Sequence, residues 1–434
     1  MKNLNQIHRG QSQLLTQKES IVGTDPQFVD LLVVGGGAAG FFGAIRAAES
    51  NPGNKVLVLE KGPNVLSKVR ISGGGRCNVT HACFDPSELI KHYPRGHREL
   101  LGPFHHWQPA DTVQWFEERG VTLKTESDGR MFPVTDQSST IVDCLLSAAT
   151  QSMIRIQTRQ EVSEISKHNA DRFEVRTSSG DYYICRKVLW TAGGMKMGNH
   201  SNIIHALGHQ IVDPIPSLFT FEIKDPLLEG LQGLAVAVAE SHLKGTDIRC
   251  RGPLLITHWG LSGPAILRLS AWAAKEIHSI SGTFKVGINW IPETNNPHES
   301  IQDFKDSNSK KLITNSPAFG IPKRLWQRLV TTVDMPSRAA WATLNKNSLQ
   351  KLCSALTSTT FTVSGKSRNK EEFVTCGGVD LKEIHFKTME SRKVSGLYFA
   401  GEALDIDAET GGFNFQAAWT TGYLAGSAIA KAIG

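Results

Sequence analysis

The strongest constraint on the fold is a glycine-rich turn between a buried strand and a helix near the start of the chain. Residues 28–34 read FVDLLVV, an almost continuous apolar run that is typical of a parallel strand covered on both faces. The turn GGGAAG at 35–40 follows, with a helix predicted from about Ala38 to Ser50 and a second strand at 55–60. This order predicts a βαβ unit, and therefore an α/β fold with a Rossmann-type domain.

The glycine spacing matches the G-x-G-x-x-G fingerprint of dinucleotide-binding turns. Gly35 permits the tight turn, Gly37 lets the backbone approach a pyrophosphate, and Gly40 lets the helix lie close to the sheet. Glu60 ends the second strand, where it is placed to accept hydrogen bonds from ribose hydroxyls and would repel the 2′-phosphate of NADP. The same site is predicted to include Ala38, Ala39 and Lys61. The fingerprint alone leaves NAD and FAD open.

Composition narrows the class of protein. The chain has 434 residues, enough for two or three domains, and its Lys and Arg outnumber Asp and Glu by 47 − 41 = 6. That excess suits an anionic dinucleotide, and without a block of consecutive basic residues a nucleic-acid partner is not expected. No apolar run reaches the roughly 20 residues of a membrane span. Seven dispersed cysteines without a CxxC pair predict a reducing, cytoplasmic location and no metal site.

The order of patterns predicts one discontinuous α/β domain with two insertions. A polar, flexible leader is expected at 1–25, and the Rossmann-type domain is assigned to 26–194 and 367–434. A β-barrel-like insertion is assigned to 195–297 and 353–366, and a small helical insertion to 298–352.

Local patterns predict several further elements. A helix is expected at 111–119 with Asp111 as its N-cap. Period-two alternation over 153–190 predicts a β-meander. A strand at 396–400 and a helix at 414–433 end the chain, and the small residues Ala418, Gly422 and Gly426 share one face of that helix.

Residues 66–80, LSKVRISGGGRCNVT, carry a specific likeness to a known family. Together with the fingerprint they resemble the BaiN/YhiN-like family of FAD-dependent flavoproteins, also called aminoacetone-oxidase-like. Similar strings recur along about 28–430, at 129–133, 191–194, 255–264, 322–324, 374–379, 388–391, 396–405 and 410–416. The resemblance implies FAD as the cofactor, and a Rossmann-type domain that carries a β-barrel and a small helical domain.

The glycine run at 73–75 is the first flavin-binding candidate outside the fingerprint. Successive N–H groups without side chains form a nest for pyrophosphate or ring oxygens, and Ser72 precedes them. Lys68 and Arg76 are candidates to neutralise a phosphate or the reduced ring, although either can equally be an ordinary solvated charge.

The C-terminal segment supplies the second set of flavin-binding candidates. Glu402, after Gly401, and Asp405 are candidates to hold ribityl hydroxyls. Gly412 precedes the last helix, so the N-terminus of that helix can face the flavin edge where negative charge grows on reduction. The remaining cofactor candidates are Val162, Ala192, Gly193, Phe413 and Asn414.

Three residues are candidates for chemistry. Cys77 is either a redox or covalent partner or a buried inert thiol, and His258 is either a proton donor or a structural histidine. The Asn78 amide is a candidate to fix the flavin or the substrate. The string at 195–202 departs from the family pattern, which puts the substrate or phosphate contact made there in doubt.

The function predicted on this basis is an FAD-dependent oxidoreductase. It passes hydride between NAD(P)H and a small organic substrate through the flavin. No second fingerprint is present, so either NAD(P)H docks transiently or another reductant is the donor. A flavin-dependent RNA-modifying enzyme and a non-enzymatic flavin-binding redox sensor stay open as alternatives.

Overall fold

The computed structural model describes residues 26–194, 198–333, 336, 338–366 and 374–434. The predicted leader at 1–25 and the predicted domain boundary after residue 366 lie outside the described residues, as do the first three residues of the string at 195–202. Within the described part of the chain, no helix is long and apolar enough to cross a membrane.

The first part of the chain, through residue 194, forms the βαβ unit and the elements that surround it. In chain order these are β1 (Gln27–Val34), α1 (Ala38–Ser50), β2 (Val56–Glu60), α2 (Ser67–Gly75), β3 (Thr80–His81), α3 (Pro86–Leu89), α4 (His97–His106), α5 (Pro109–Glu117), β4 (Leu123–Thr125), β5 (Arg130–Pro133), α6 (Ser138–Gln151), β6 (Arg155–Thr158), β7 (Val162–Lys167), β8 (Phe173–Thr177) and β9 (Tyr182–Trp190).

The rest of the chain forms a second β-rich region, a group of helices, and a return to the first sheet. Its elements are α7 (Asn199–Ala206), β10 (Ile211–Ser217), β11 (Phe221–Glu222), β12 (Ala235–Leu243), β13 (Arg249–Ile256), β14 (Gly260–Ser262), α8 (Pro264–Trp272), α9 (Ala274–Ser279), β15 (Phe284–Asn289), α10 (Pro297–Ser307), α11 (Lys323–Thr331), α12 (Lys346–Thr357), β16 (Thr359–Val363), β17 (Gly365–Lys366), β18 (Val374–Val379), β19 (Ile384–His385), β20 (Glu390–Ser391), β21 (Leu397–Phe399) and α13 (Phe413–Ile433).

The main sheet confirms the predicted α/β fold class. Its strand order is β19-β20-β21-β9-β1-β2-β6, and the five strands from β21 to β6 are parallel. Parallel strands end at the same edge of a sheet, so the residues after β1, β2, β6, β9 and β21 meet there. The C-terminal strand β21 therefore brings the end of the chain back beside the first strands.

Two local predictions need correction. The helix expected from Asp111 begins at Pro109, because Gln108 is the N-cap and Asp111 accepts the Gln108 N–H at 2.8 Å from the third helical position. The predicted meander over 153–190 contains only β7, β8 and β9, since β6 pairs parallel with β2 instead.

The second region forms one body with the helices that follow it. An antiparallel sheet has the order β16-β15-β12-β13-β14-β11-β17 and wraps a core that includes Phe221 and Val286. The same core takes in Trp326 of α11 and Leu352 of α12. The helical insertion is therefore packed on the barrel-like sheet through shared apolar side chains.

A buried ion pair joins this second body to the Rossmann-type domain. Arg95 pairs with both carboxylate oxygens of Asp407, and the Asp407 side chain is fully buried. Ser217 in β10 donates to Asp407 at 2.7 Å, and Arg95 donates to the Ala271 carbonyl of α8 at 2.7 Å. These bonds fix α8 and β10 against the segment that leads into α13.

We expect Arg95→Ala to lower the free energy of unfolding by about 3–5 kcal/mol, because it leaves the Asp407 carboxylate buried without its partner. Urea unfolding followed by tryptophan fluorescence measures the change. The matched control is Lys91→Ala, which removes an exposed pair with Glu88 and should change stability little. Equal effects of the two substitutions would contradict this account of the junction.

Candidate functional site

A cavity of about 650 Å³ lies at the carboxyl edge of the parallel strands. This volume falls in the range of small-molecule and cofactor sites. Most of the predicted site residues line it: Gly35, Gly37, Ala38, Ala39, Glu60, Lys61, Lys68, Ser72, Gly73, Gly74, Asn78, Val162, Ala192, Gly193, Gly401, Glu402, Gly412 and Asn414.

Two of the fingerprint glycines are required for close packing of the turn, and the third leaves space for a ligand. A Cβ on Gly35, whose φ is +104°, would lie 2.4 Å from the Thr191 carbonyl oxygen, and one on Gly40 would lie 2.1 Å from the Gly35 oxygen. A Cβ on Gly37 would meet no heavy atom within 4 Å. Gly35 and Gly40 therefore hold the turn against β9, whereas Gly37 leaves the N-terminus of α1 open to a ligand.

The Glu60 carboxylate is oriented by backbone donors. Its Oε2 accepts the Gly36 N–H at 2.8 Å and its Oε1 accepts the Gly62 N–H at 2.7 Å. Each carboxylate oxygen has a second acceptor position, so these bonds leave capacity for a ribose hydroxyl. Glu60 thus stabilises the glycine turn and faces the cavity.

The glycine run at 73–75 interrupts α2. Gly73 and Gly74 have left-handed dihedrals, φ +58° and φ +68°, and a Cβ on Gly74 would meet nothing within 4 Å. A Cβ on Gly73 would lie 3.0 Å from the Asn78 nitrogen. The turn therefore presents backbone to the cavity, as an anion-binding loop requires.

Asn78 joins that loop to the start of α13. With its amide oriented so that both atoms are bonded, Oδ1 accepts the Gly412 N–H at 2.9 Å and Nδ2 donates to the Thr80 carbonyl at 3.0 Å. A Cβ on Gly412 would lie 2.5 Å from the Thr80 oxygen. Asn78 therefore positions the N-terminus of α13 at the cavity.

Lys68 and Glu402 pair across the cavity wall, although 334 residues separate them in the chain. The Lys68 side chain is 56% exposed and that of Glu402 is 19% exposed. The pair neutralises the carboxylate that the sequence predicts to meet ribityl hydroxyls.

Arg76, Asp405 and His258 lie outside the cavity wall. Arg76 pairs with Glu126 at 2.7 Å and stacks on the Phe132 ring at 4.0 Å, so its charge is engaged by β4–β5 and the loop between them. Asp405 accepts the Gly377 N–H at 3.0 Å, and burial raises its pKa. His258 is exposed in the turn between β13 and β14.

The Phe413 ring is also directed away from the wall, because it stacks between two histidines. The ring centroids lie 4.6 Å from His81 and 4.1 Å from His92. Asn414, which does line the cavity, exchanges two hydrogen bonds with the Ala408 backbone at 2.9 and 3.0 Å. The remaining predicted residues outside the wall are Gly40, Gly75 and Cys77.

Glu409 is a wall residue that sequence reasoning missed. It is 7% exposed, pairs with His92, lies 3.3 Å from the Arg268 Nε and accepts from the Trp272 Nε1 at 3.4 Å. Arg268 and Trp272 belong to α8, and Leu267 beside them lines the same wall. The only sequence signal was the position of Glu409 just before the glycine pair at 411–412.

The string at 195–202, which departs from the family pattern, contributes to a different part of the cavity wall. Asn199 donates to the Val162 carbonyl at 3.1 Å, and His200 lines the cavity beside Lys61. Burial lowers the pKa of His200. Among the described residues, no group of three or more His, Cys, Asp and Glu is arranged to hold a metal ion.

Cys77 is fully buried, and burial raises its pKa to about 12. About one such thiol in ten thousand is ionised at pH 8, so we expect no alkylation of Cys77 by iodoacetamide in the folded protein. Peptide mass spectrometry reads the modification, and the guanidinium-unfolded protein, in which Cys77 should react fully, is the control. Equal reaction rates in the two states would contradict the burial argument.

Known proteins resemble this chain over almost its whole length. The model of the HI0933-like protein Rossmann domain matches residues 29–428. The ribosomal RNA dihydrouridine synthase of Escherichia coli (strain K12) is 31% identical over 402 residues, which cover 91% of this chain and 96% of that protein. The 3-dehydro-bile acid delta(4,6)-reductase of Clostridium scindens is 29% identical over 413 residues, which cover 92% and 98%.

Solved structures share the fold. A 3-ketosteroid-delta4-(5alpha)-dehydrogenase from Rhodococcus jostii RHA1 superposes with a TM-score of 0.51 at 13% sequence identity, covering 95% of this chain and 98% of that one. The resemblance drawn from the glycine strings is confirmed by the family match. The chain belongs to the HI0933-like Rossmann-domain family and is a flavin-dependent oxidoreductase.

Proposed function

We propose that the chain binds FAD in the 650 Å³ cavity and reduces a carbon–carbon double bond conjugated to a carbonyl group. The ADP half lies on Gly37 and Glu60, and the flavin ring lies between the glycine run at 73–74 and the N-terminus of α13. The observation that carries this proposal is that three separate glycine turns, at 35–40, 73–75 and 411–412, line one cavity, with open backbone at Gly37 and Gly74.

The residues present fit an extended dinucleotide. The N-terminus of α1 suits a pyrophosphate, since unpaired N–H groups and the helix dipole favour negative charge there. The N-terminus of α13 suits the flavin edge that gains negative charge on reduction. The oriented carboxylates of Glu60 and Glu402 suit the hydroxyls of the ribose and the ribityl chain.

The reactions named for two relatives support a conjugated carbon–carbon double bond as the bond that this chain reduces. One forms dihydrouridine, which is uridine with its ring double bond saturated, and that bond is conjugated to a ring carbonyl. Another is named for delta(4,6) reduction of a 3-dehydro bile acid, and its double bonds are conjugated to the 3-oxo group. The same bond change accounts for both names, so we assign it to this chain.

The reaction adds one hydride and one proton across the double bond. Bound FAD would supply the hydride, after NAD(P)H has docked transiently to reduce it. The chain supplies the proton through Glu409, which lines the wall next to α8 and pairs with His92 behind it. Leu218 and Leu267 form apolar wall on which a flat, unsaturated ring can lie.

Two substrate classes are candidates. The first is the small unsaturated molecule that the sequence analysis predicts. The second is a uracil ring within RNA, which is favoured by the relatives named as ribosomal RNA dihydrouridine synthases, one of them from Haemophilus influenzae at 30% identity. The redox-sensor alternative is dropped, because the chain is an enzyme.

Anaerobic stopped-flow absorbance tests the function. We expect the purified protein to be yellow, to lose its oxidised-flavin absorbance with NADH or NADPH, and to regain it with an α,β-unsaturated ketone or a uridine-containing RNA. The product should gain one deuteride from deuterated nicotinamide and one proton from solvent. A colourless protein that FAD cannot reconstitute would overturn the proposal, and so would a reduced flavin that no conjugated double bond reoxidises.

We expect Gly37→Val to weaken FAD binding by at least about tenfold, because its side chain enters space that the proposal gives to the pyrophosphate. The stability of the apoprotein should stay close to that of the wild type, since no protein atom lies within 4 Å of the added Cβ. FAD titration by fluorescence quenching measures the affinity. The control is Gly102→Val in α4, where a Cβ also meets nothing within 4 Å, and normal FAD binding by Gly37→Val would count against this site.

A further inference from the structure

The positive charge of the chain is concentrated in the helical insertion. Residues 298–352 contain nine Lys and Arg against four Asp and Glu, an excess of five out of the net charge of +6. The other 379 residues are therefore almost neutral. A general requirement for solubility would not place the charge in one segment.

Within the described residues of the insertion, the acidic side chains are confined to one helix, α10, which also carries Lys305. The acids among the described residues, Glu299, Asp303 and Asp306, all belong to α10. Helices α11 and α12 contain no acidic residue. Their exposed basic residues are Lys323, Arg324, Arg328, Lys346 and Lys351.

We infer that the exposed face of α11 and α12 is a docking surface for RNA, which carries the reacting uracil ring to the flavin cavity. This inference rests on the proposed function and selects the second of its two substrate classes. Lysine and arginine side chains on one face match the regular negative charge of a phosphodiester backbone.

The polar neighbours of these basic residues favour a nucleic acid over a membrane surface. A groove between the end of α11 and α12 is lined by Thr332, Asn347, Gln350, Lys351 and Ser354, together with Val333. Amides and hydroxyls of this kind bond to phosphate and sugar oxygens. None of the large hydrophobic side chains that the structure exposes lies on the described residues of the insertion, whereas membrane docking needs such side chains.

Two arginines fix the basic face of α11 to the barrel-like body. Arg324 and Arg328 donate to the carbonyls of Gly230 and Glu229 on the barrel-like body. That segment is tied to β13, because the Gly233 N–H donates to the Ile256 carbonyl at 2.9 Å. Trp259 lies three residues after the end of β13, is 46% exposed and offers a stacking face for a base.

The experiment uses the full-length holoenzyme and a fluorescein-labelled RNA stem–loop with uridines in its loop. Fluorescence anisotropy measures affinity over a series of salt concentrations. We expect the triple variant K323Q/K346Q/K351Q to bind at least about tenfold more weakly at low salt, and the slope of log K against log salt to fall by about 2. The three lysines are exposed and lie outside the cavity wall, so flavin content and its reduction by NAD(P)H should match the wild type.

The matched control is K382Q/K387Q/K431Q, which removes three exposed lysines from the Rossmann-type domain and should leave the slope unchanged. Wild-type RNA binding by K323Q/K346Q/K351Q, or an equal loss in the control, would overturn the inference. No RNA binding by a wild-type protein that reduces a small conjugated ketone would also overturn it, while leaving the proposed function standing. Failure of the flavin to bind or to be reduced would instead remove the proposed function.

Discussion

The close packing of α13 on α1 is the constraint on which the flavin site depends, because it brings the last segment of the chain onto the first. A Cβ on Gly422 would lie 2.6 Å from the Ala39 carbonyl oxygen, and one on Gly426 would lie 2.3 Å from the Gly43 oxygen. Only glycine lets the two helices approach this closely without moving. The small-residue face seen in the sequence therefore has a structural reason.

From that position α13 holds three parts of the cavity wall. Thr421 accepts the Gly401 N–H at 3.0 Å, which fixes the turn after β21. Trp419 donates to the Val79 carbonyl at 2.9 Å, next to Asn78, and Asn78 in turn bonds Gly412. The glycine turns at 35–40, 73–75 and 411–412 thus share one support, although the chain between them spans nearly its whole length.

The sequence was sufficient to predict elements whose ends are marked by residues with special backbone preferences, such as glycine and proline. The predicted bounds of α1, Ala38–Ser50, are those observed, because the glycine turn and the following Asn-Pro-Gly segment mark both ends. The sequence was insufficient to predict the role of a side chain whose hydrogen-bond or ion-pair partner is distant in the chain. Glu409 meets a histidine 317 residues away, and Arg76, inside a specific string, is engaged by Glu126 from another strand pair. His258 stands in a loop whose direction no local pattern determines, and the structure leaves it exposed.

A crystal structure of the protein with FAD tests the central claim most directly. We expect the pyrophosphate on the N–H groups at Gly37 and the start of α1, and the isoalloxazine ring in contact with both the glycine run at 73–74 and Gly412. A cofactor bound elsewhere, or one whose ring makes no contact with the segment from Gly401 to Asn414, would contradict it.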